Sequence, residues 1–151
     1  MVLTSPRGEV LCHELAAELA QAEHLIIIAG HYEGVDERVI EEVVDREISI
    51  GDYVLSNGNL AAMVIADSVI RLLPGALGDM ASAEQDSFGD GLLEFPQYTR
   101  PPVFRNRAVP EILMSGDHGR IAEYRRRMSE RLTRERRPDL WEKFLINEGL
   151  K

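Results

Sequence analysis

The apolar positions of this chain alternate between helical stripes and one strand-like run. Over residues 11–22 they fall at Leu11, Leu15, Leu19 and Ala22, a helical stripe with Glu14 and Glu18 facing water. Residues 25–29 (LIIIA) form an unbroken run rich in β-branched side chains, which predicts a strand buried on both faces. Gly30 and Gly34 end that run, and Asp36 stands where it can cap a short helix over 36–44. Residues 48–55 read as extended chain broken at Gly51. The strongest helix is predicted over 60–73. Its apolar side carries Leu60, Met63 and Val64, continues through Val69 and Leu72, and stops at Pro74-Gly75.

Strands alternating with helices imply an α/β unit built on a mostly parallel sheet. Residues 78–91 (GDMASAEQDSFGDG) are small, polar and flanked by glycine, the composition of a linker. Beyond them the pattern changes to proline-rich turns and then a helix over 121–134. Ile121, Tyr124, Met128 and Leu132 share one side of it. Pro138 ends that helix and a last short one begins over 140–145. The expected organisation is an α/β domain over 1–77, a linker over 78–90 and a small helical C-terminal domain over 91–151.

Composition narrows the setting. At 151 residues and 44% hydrophobic content, the chain can bury one core or two small ones. A single cysteine, Cys12, excludes an internal disulfide and fits a reducing compartment; a buried thiol is expected there. The N-terminus has no charged region followed by an apolar one, and the apolar stretch 60–77 carries Asp67 and Arg71, so neither a signal peptide nor a membrane span is expected. A cytoplasmic protein with no membrane partner is the expectation.

The net charge of −9 argues against nucleic acid, but its distribution argues the other way. Residues 1–98 hold 18 acidic side chains against four Lys/Arg, whereas residues 99–151 hold 13 Lys/Arg against eight acids. The acidic part suits a small cationic or zwitterionic ligand and the basic part suits phosphates. The bland alternative for the basic part is a solvated charged helix.

Three glycine-bearing loops stand out: SPRG (5–8), GHYEG (30–34) and IGDYVLSNG (50–58). Glycine lets backbone approach a ligand closely and take positive φ, and exposed main-chain groups can read an adenine edge. Singly, such loops are most often turns. No GxGxxG fingerprint or P-loop is present, so a dinucleotide or NTPase fold lacks its signature.

In order, however, YEG-x-DERV, SIGDYVLS, ASAE-x-DSF and YTRP resemble the bacterial tRNA (guanine-N1)-methyltransferase family, TrmD-like enzymes of the knotted SPOUT class. The resemblance covers nearly the whole chain. It implies a trefoil-knot α/β fold with S-adenosylmethionine held in a bent shape, and it makes residues 1–77 the later part of that donor-binding domain. Carried over by position, Ser5, Pro6, Gly30, Ile50, Gly51, Asp52, Tyr53, Val54 and Leu55 would line the methyl-donor site. Glu33, the YEG glutamate, would lie near the donor or a magnesium ion.

Methyl transfer to guanine N1 requires a base for the N1 proton and a cation for charge developing on O6. Asp86 matches the family's base and Arg71 its cation. Read without the resemblance, Arg71 is a surface partner for Asp67 one helical turn away, and Asp86 is a cap or a solvated linker acid. The resemblance further implies a homodimer with its active site at the interface, and a tRNA anticodon stem-loop as substrate, methylated at the guanine immediately 3′ of the anticodon. That base must be unstacked for the reaction. Residues 120–137 carry eight arginines and three glutamates, so Arg125, Arg126 and Arg127 would cradle RNA. Gln97, Tyr98 and Arg100 of PQYTRP would lie near the base, with Tyr98 placed to stack.

The chain begins where the family is about one third complete, and several positions depart from its pattern. His31 replaces an arginine, Gln97 a histidine, and SNGN (56–59) stands for SGGE. If the glycine replaced by Asn57 needs positive φ, asparagine is its least costly substitute. The alternative function is therefore a non-catalytic tRNA-binding or dimerising fragment of the same family. A different SPOUT-class RNA methyltransferase is a third reading.

Overall fold

The computed structural model describes residues 1–76 and 86–150, and the chain divides into two compact units, Met1–Ala83 and Glu84–Lys151. Of the expected linker, residues 78–85 lie outside the described residues.

The first unit is a three-stranded parallel sheet with helices. Strand β1 (Val2–Val10) lies between β2 (Ile27–Ala29) and β3 (Arg46–Ser49) and is parallel to both. The strand buried on both faces is thus β1, where Val2, Leu3 and Thr4 are buried in succession, and not the 25–29 run. That run supplies only a three-residue edge strand of intermediate burial, with Ile26 exposed. A β-branched run marks a strand but not its rank in the sheet. The central strand escaped notice because its second half, Ser-Pro-Arg-Gly, reads as a turn.

The loop reading of 5–8 contains part of the answer. Thr4 and Glu9 each pair with Ile48, so residues 5–8 bulge out of the ladder within one strand. The bulge lies against β3 at Gly8: a Cβ there would come within 2.3 Å of the Glu47 carbonyl carbon and 2.4 Å of the Ile48 nitrogen. Only glycine fits.

Helices α1 (His13–Leu19), α2 (Glu37–Val43) and α3 (Asn59–Ile70) complete the unit. Asp36 caps α2 as expected, its carboxylate accepting from the Arg38 amide at 2.9 Å. Leu15 and Ala16 of α1 and Ile65 and Val69 of α3 close over Val2 and Ile48 to form the core. On α3 the buried face is Ala61, Ile65 and Val69, whereas the expected Leu60, Met63 and Val64 are exposed. The helix is apolar all round, so its periodicity could not choose a face. Cys12 precedes α1 and is exposed, contrary to the buried thiol expected.

In the second unit, α4 (His118–Arg136) and α5 (Pro138–Asn147) meet at Arg137, which caps the end of one and the start of the other. Asp117 caps α4 by accepting from the Arg120 amide at 3.1 Å. Ile121, Tyr124, Met128 and Leu132 do lie together on its half-buried side, with Ser129 buried and Thr133 fully covered. Leu92 and Phe144 fill the small core, and Trp141 stacks on Phe144 with ring centroids 5.4 Å apart. The proline-rich turns hold a short hairpin, β4 (Val103–Phe104) with β5 (Arg107–Ala108), turned by Arg105 and Asn106 at positive φ, and a 3₁₀ turn at Glu111–Met114.

Candidate functional site

The C-terminal ends of parallel strands are where α/β folds place their ligand crevices, because the loops leaving them converge there. In the first unit that end carries a cleft of about 320 Å³, a size suited to a small-molecule ligand. Its walls come from the bulge 5–8, the loop after β2 and the segment 50–58. Of the ten donor-site residues expected, Ser5, Pro6, Gly30, Glu33, Ile50, Gly51, Tyr53, Val54 and Leu55 line it. Asp52 does not.

Local chemistry shapes each wall. After β2, Tyr32 takes positive φ and its amide donates to His31 Nδ1 at 2.8 Å, leaving the Tyr32 ring exposed. After β3, Ser49 Oγ donates to the Gly51 carbonyl at 3.1 Å, and Tyr53 Oη donates to the Ile50 carbonyl at 3.0 Å. Gly51 has φ +142°, and the Tyr53 ring lies where its Cβ would be, so this turn requires glycine. Asn57 does not take positive φ. Its side chain instead accepts from the Asn59 amide at 3.0 Å at the start of α3, a role glycine cannot fill.

The walls are tied at Gly58, whose amide donates to the Gly30 carbonyl at 2.8 Å. A Cβ on Gly58 would fall 2.2 Å from Thr4 Oγ1 and 2.8 Å from the Gly30 nitrogen. Strand β1, the loop after β2 and the head of α3 therefore touch at one point. Thr4, His31, Tyr32, Asn57 and Gly58 line the cleft without having been picked out as site residues. The available signal was position: His31, Tyr32, Asn57 and Gly58 lie within loops already singled out, and Thr4 directly precedes one.

Arg71 is half-buried at the C-terminal end of α3, its amide closing the helix on the Asp67 carbonyl at 3.1 Å. Asp86 belongs to the second unit, half-buried at the head of a turn in which the Gly89 amide donates to its carbonyl at 3.2 Å. The turn is anchored to α4. Arg126 Nη1 reaches Asp90 at 2.8 Å, and the Leu93 amide donates to Thr133 Oγ1 at 2.8 Å.

The second unit carries its own cleft of about 620 Å³, walled by Phe95, Gln97, Tyr98, Arg100, Met114 and Arg125 among others. Arg125 lies over the Phe95 ring at 4.6 Å. Gln97 donates to the Glu94 carboxylate. The Tyr124 hydroxyl is pushed above the ordinary tyrosine range, first by burial and then by Tyr98 beside it. Arg126 is committed within the unit, pairing with Glu130 at 2.9 Å as well as Asp90 and covering the Phe144 ring at 5.1 Å. Arg127 is exposed.

Among the described residues, no three His, Cys, Asp or Glu side chains gather where a metal ion could be held, and Glu33 is a lone exposed carboxylate. No helix among the described residues is long and apolar enough to cross a membrane.

A family model described as tRNA (Guanine-1)-methyltransferase TrmD matches residues 1–143. Three curated relatives bear the name tRNA (guanine-N(1)-)-methyltransferase. The one from Neisseria meningitidis serogroup C is 57% identical over 97% of this chain and 59% of its own length. That from Chlamydia abortus is 55% identical over 97% of this chain and 41% of its own. That from Chlamydia pneumoniae is 54% identical over 99% of this chain and 42% of its own. This chain therefore spans 41% to 59% of the length of these relatives, and it belongs to the tRNA (guanine-1)-methyltransferase TrmD family.

Proposed function

We propose that this chain works in S-adenosylmethionine-dependent methylation of tRNA, at N1 of the guanine immediately 3′ of the anticodon. The observation that carries the reading is the convergence of three loops, distant in sequence, on one cleft in a chain more than half identical to enzymes of that name. A mostly parallel sheet with helices suits the SPOUT class, and the trefoil knot belongs to this proposal. So does a cytoplasmic location.

The cleft offers what an adenosyl group and an amino-acid tail need: main-chain donors and acceptors around Gly30 and 50–55, apolar cover from Val54 and Leu55, and a carboxylate at Glu33. Bound S-adenosylmethionine supplies an electrophilic methyl group on a sulfonium. The chain's own work is with protons and charge. Asp86 accepts the N1 proton as N1 attacks, and the Arg71 guanidinium stabilises negative charge on O6.

RNA falls to the second unit, whose residues 99–151 hold 13 Lys/Arg against eight acids. Arg100, Arg125 and Arg127 meet phosphates, and Tyr98 and Gln97 face the nucleotide from the wall of the second cleft. Arg126, already holding Asp90, Glu130 and Phe144, serves RNA less directly by fixing the turn that follows Asp86. A second copy of the chain is the partner for the exposed Leu60, Met63 and Val64 of α3, which gives the homodimer.

Methyl incorporation from labelled donor into unmodified tRNA tests the reading. Asp86→Asn is expected to lose about 10²–10⁴-fold in rate while donor binding holds. Equal incorporation by wild type and Asp86→Ala would remove the base. Salt-sensitive tRNA binding with no donor affinity would replace the enzyme by a non-catalytic tRNA-binding fragment.

A further inference from the structure

We propose that Arg7 is a positioning residue for the donor cleft, a clasp that holds its three walls in register. The inference rests on the donor-site reading of that cleft.

Arg7 sits in the bulge, next to Pro6 and two residues from Ser5, both of which line the cleft. Its guanidinium spans two other elements at once. Nη1 and Nη2 each reach Glu37 Oε2 at 3.1 Å, and Nη2 reaches Glu47 Oε2 at 3.2 Å. Glu37 is the first residue of α2, directly after the loop 30–34 that forms the second wall. Glu47 lies in β3, which leads into the third wall at Ile50.

One side chain thus bridges the segments that carry all three walls. The forked geometry of arginine is what permits two carboxylates on different elements to share it. Arg7 is 58% exposed and Glu37 59%, so the clasp adds little to global stability. Its effect falls on loop order: with Arg7 removed, the bulge and the loop before α2 keep their fold but sample more arrangements. A ligand must then order them on binding.

The test compares wild type, Arg7→Gln and Arg7→Lys by calorimetric titration with S-adenosylmethionine at low and high salt. Thermal melting and amide hydrogen exchange over 30–34 and 50–55 run alongside. Arg7→Gln is expected to weaken donor binding about 3–10-fold at low salt with its melting temperature nearly unchanged, because exposed pairs contribute little to folding. Arg7→Lys recovers part of the loss. High salt brings wild type and variant together, since screening dissolves the clasp. Exchange over both loops accelerates in Arg7→Gln.

Equal affinities at low salt would overturn the proposal, and so would a loss of the same size at both salts, which marks a defect in packing. If wild type takes up no donor, the donor-site reading fails. The exchange data then decide the clasp alone, and unchanged exchange in Arg7→Gln would overturn it.

Discussion

The Thr133 hydroxyl accepts from the Leu93 amide at 2.8 Å while donating to the Ser129 carbonyl at 2.7 Å, and it is fully buried. One side chain in the last turn of α4 thereby satisfies a backbone donor forty residues away and fixes the segment that follows Asp86.

Replacing it by valine keeps the shape and deletes both bonds. The Leu93 amide is left unpaired, so Thr133→Val should destabilise the second unit by about 1–3 kcal/mol. Thr133→Ser, which keeps the hydroxyl, should lose less. Urea unfolding followed at Trp141, the chain's one tryptophan, reads the difference.

At Gly58 the obstacle to a methyl group includes backbone, the Gly30 nitrogen at 2.8 Å, as well as the Thr4 hydroxyl at 2.2 Å. Gly58→Ala must therefore push β1 and the loop after β2 apart, at a cost of about 1–3 kcal/mol. Donor binding should fall along with the melting temperature. Donor affinity unchanged beside a lowered melting temperature would show that the cleft does not depend on this contact.

The two faces of α3 should answer mutation differently. Ile65 is fully buried, and Ile65→Ala should cost about 2–5 kcal/mol. Met63 is 66% exposed, so Met63→Glu should leave the folding of one chain within about 0.5 kcal/mol. If this face joins two copies, Met63→Glu abolishes the concentration dependence of the sedimentation coefficient. A wild-type protein that sediments as a monomer at every concentration would dispose of the dimer.

Tyr124 provides a pH signature. Its hydroxyl is raised above the ordinary tyrosine range by burial and by Tyr98, so the folded state retains that proton longer than the unfolded chain. The resulting stability is fully present below about pH 10, the unfolded value, and is lost as pH rises through the folded one. Spectrophotometric titration should show a tyrosine ionisation above the ordinary range, and Tyr124→Phe should remove that step. A raised step missing from the wild type, or one that persists in Tyr124→Phe, would contradict the burial of Tyr124.

Much of this was legible in the residues. A cap located α2, an apolar stripe the long basic helix and a proline the corner at Pro138, because each of these signals acts locally. Loop composition marked the three glycine-bearing loops, because glycine and main-chain exposure are also local properties, whereas the nine cleft residues came from the family resemblance carried over by position. What failed was whatever depends on neighbours. Val2–Val10 is central only because two other strands flank it, and no local pattern in Ser-Pro-Arg-Gly announces a bulge inside a strand. Leu60 and Ile65 are equally apolar, and only α1 and the sheet decide which one is covered. Cys12 is exposed because it precedes the first turn of α1 instead of lying within it.

The order β2-β1-β3 leaves both margins of the sheet with main-chain groups that face no third or fourth neighbour among the described residues. Such margins are templates that will accept another extended segment. Preparations of this polypeptide should accordingly be judged by how their light scattering changes with concentration, and a lysine introduced at exposed Ile26, beside the outer strand, is the simplest way to blunt one margin.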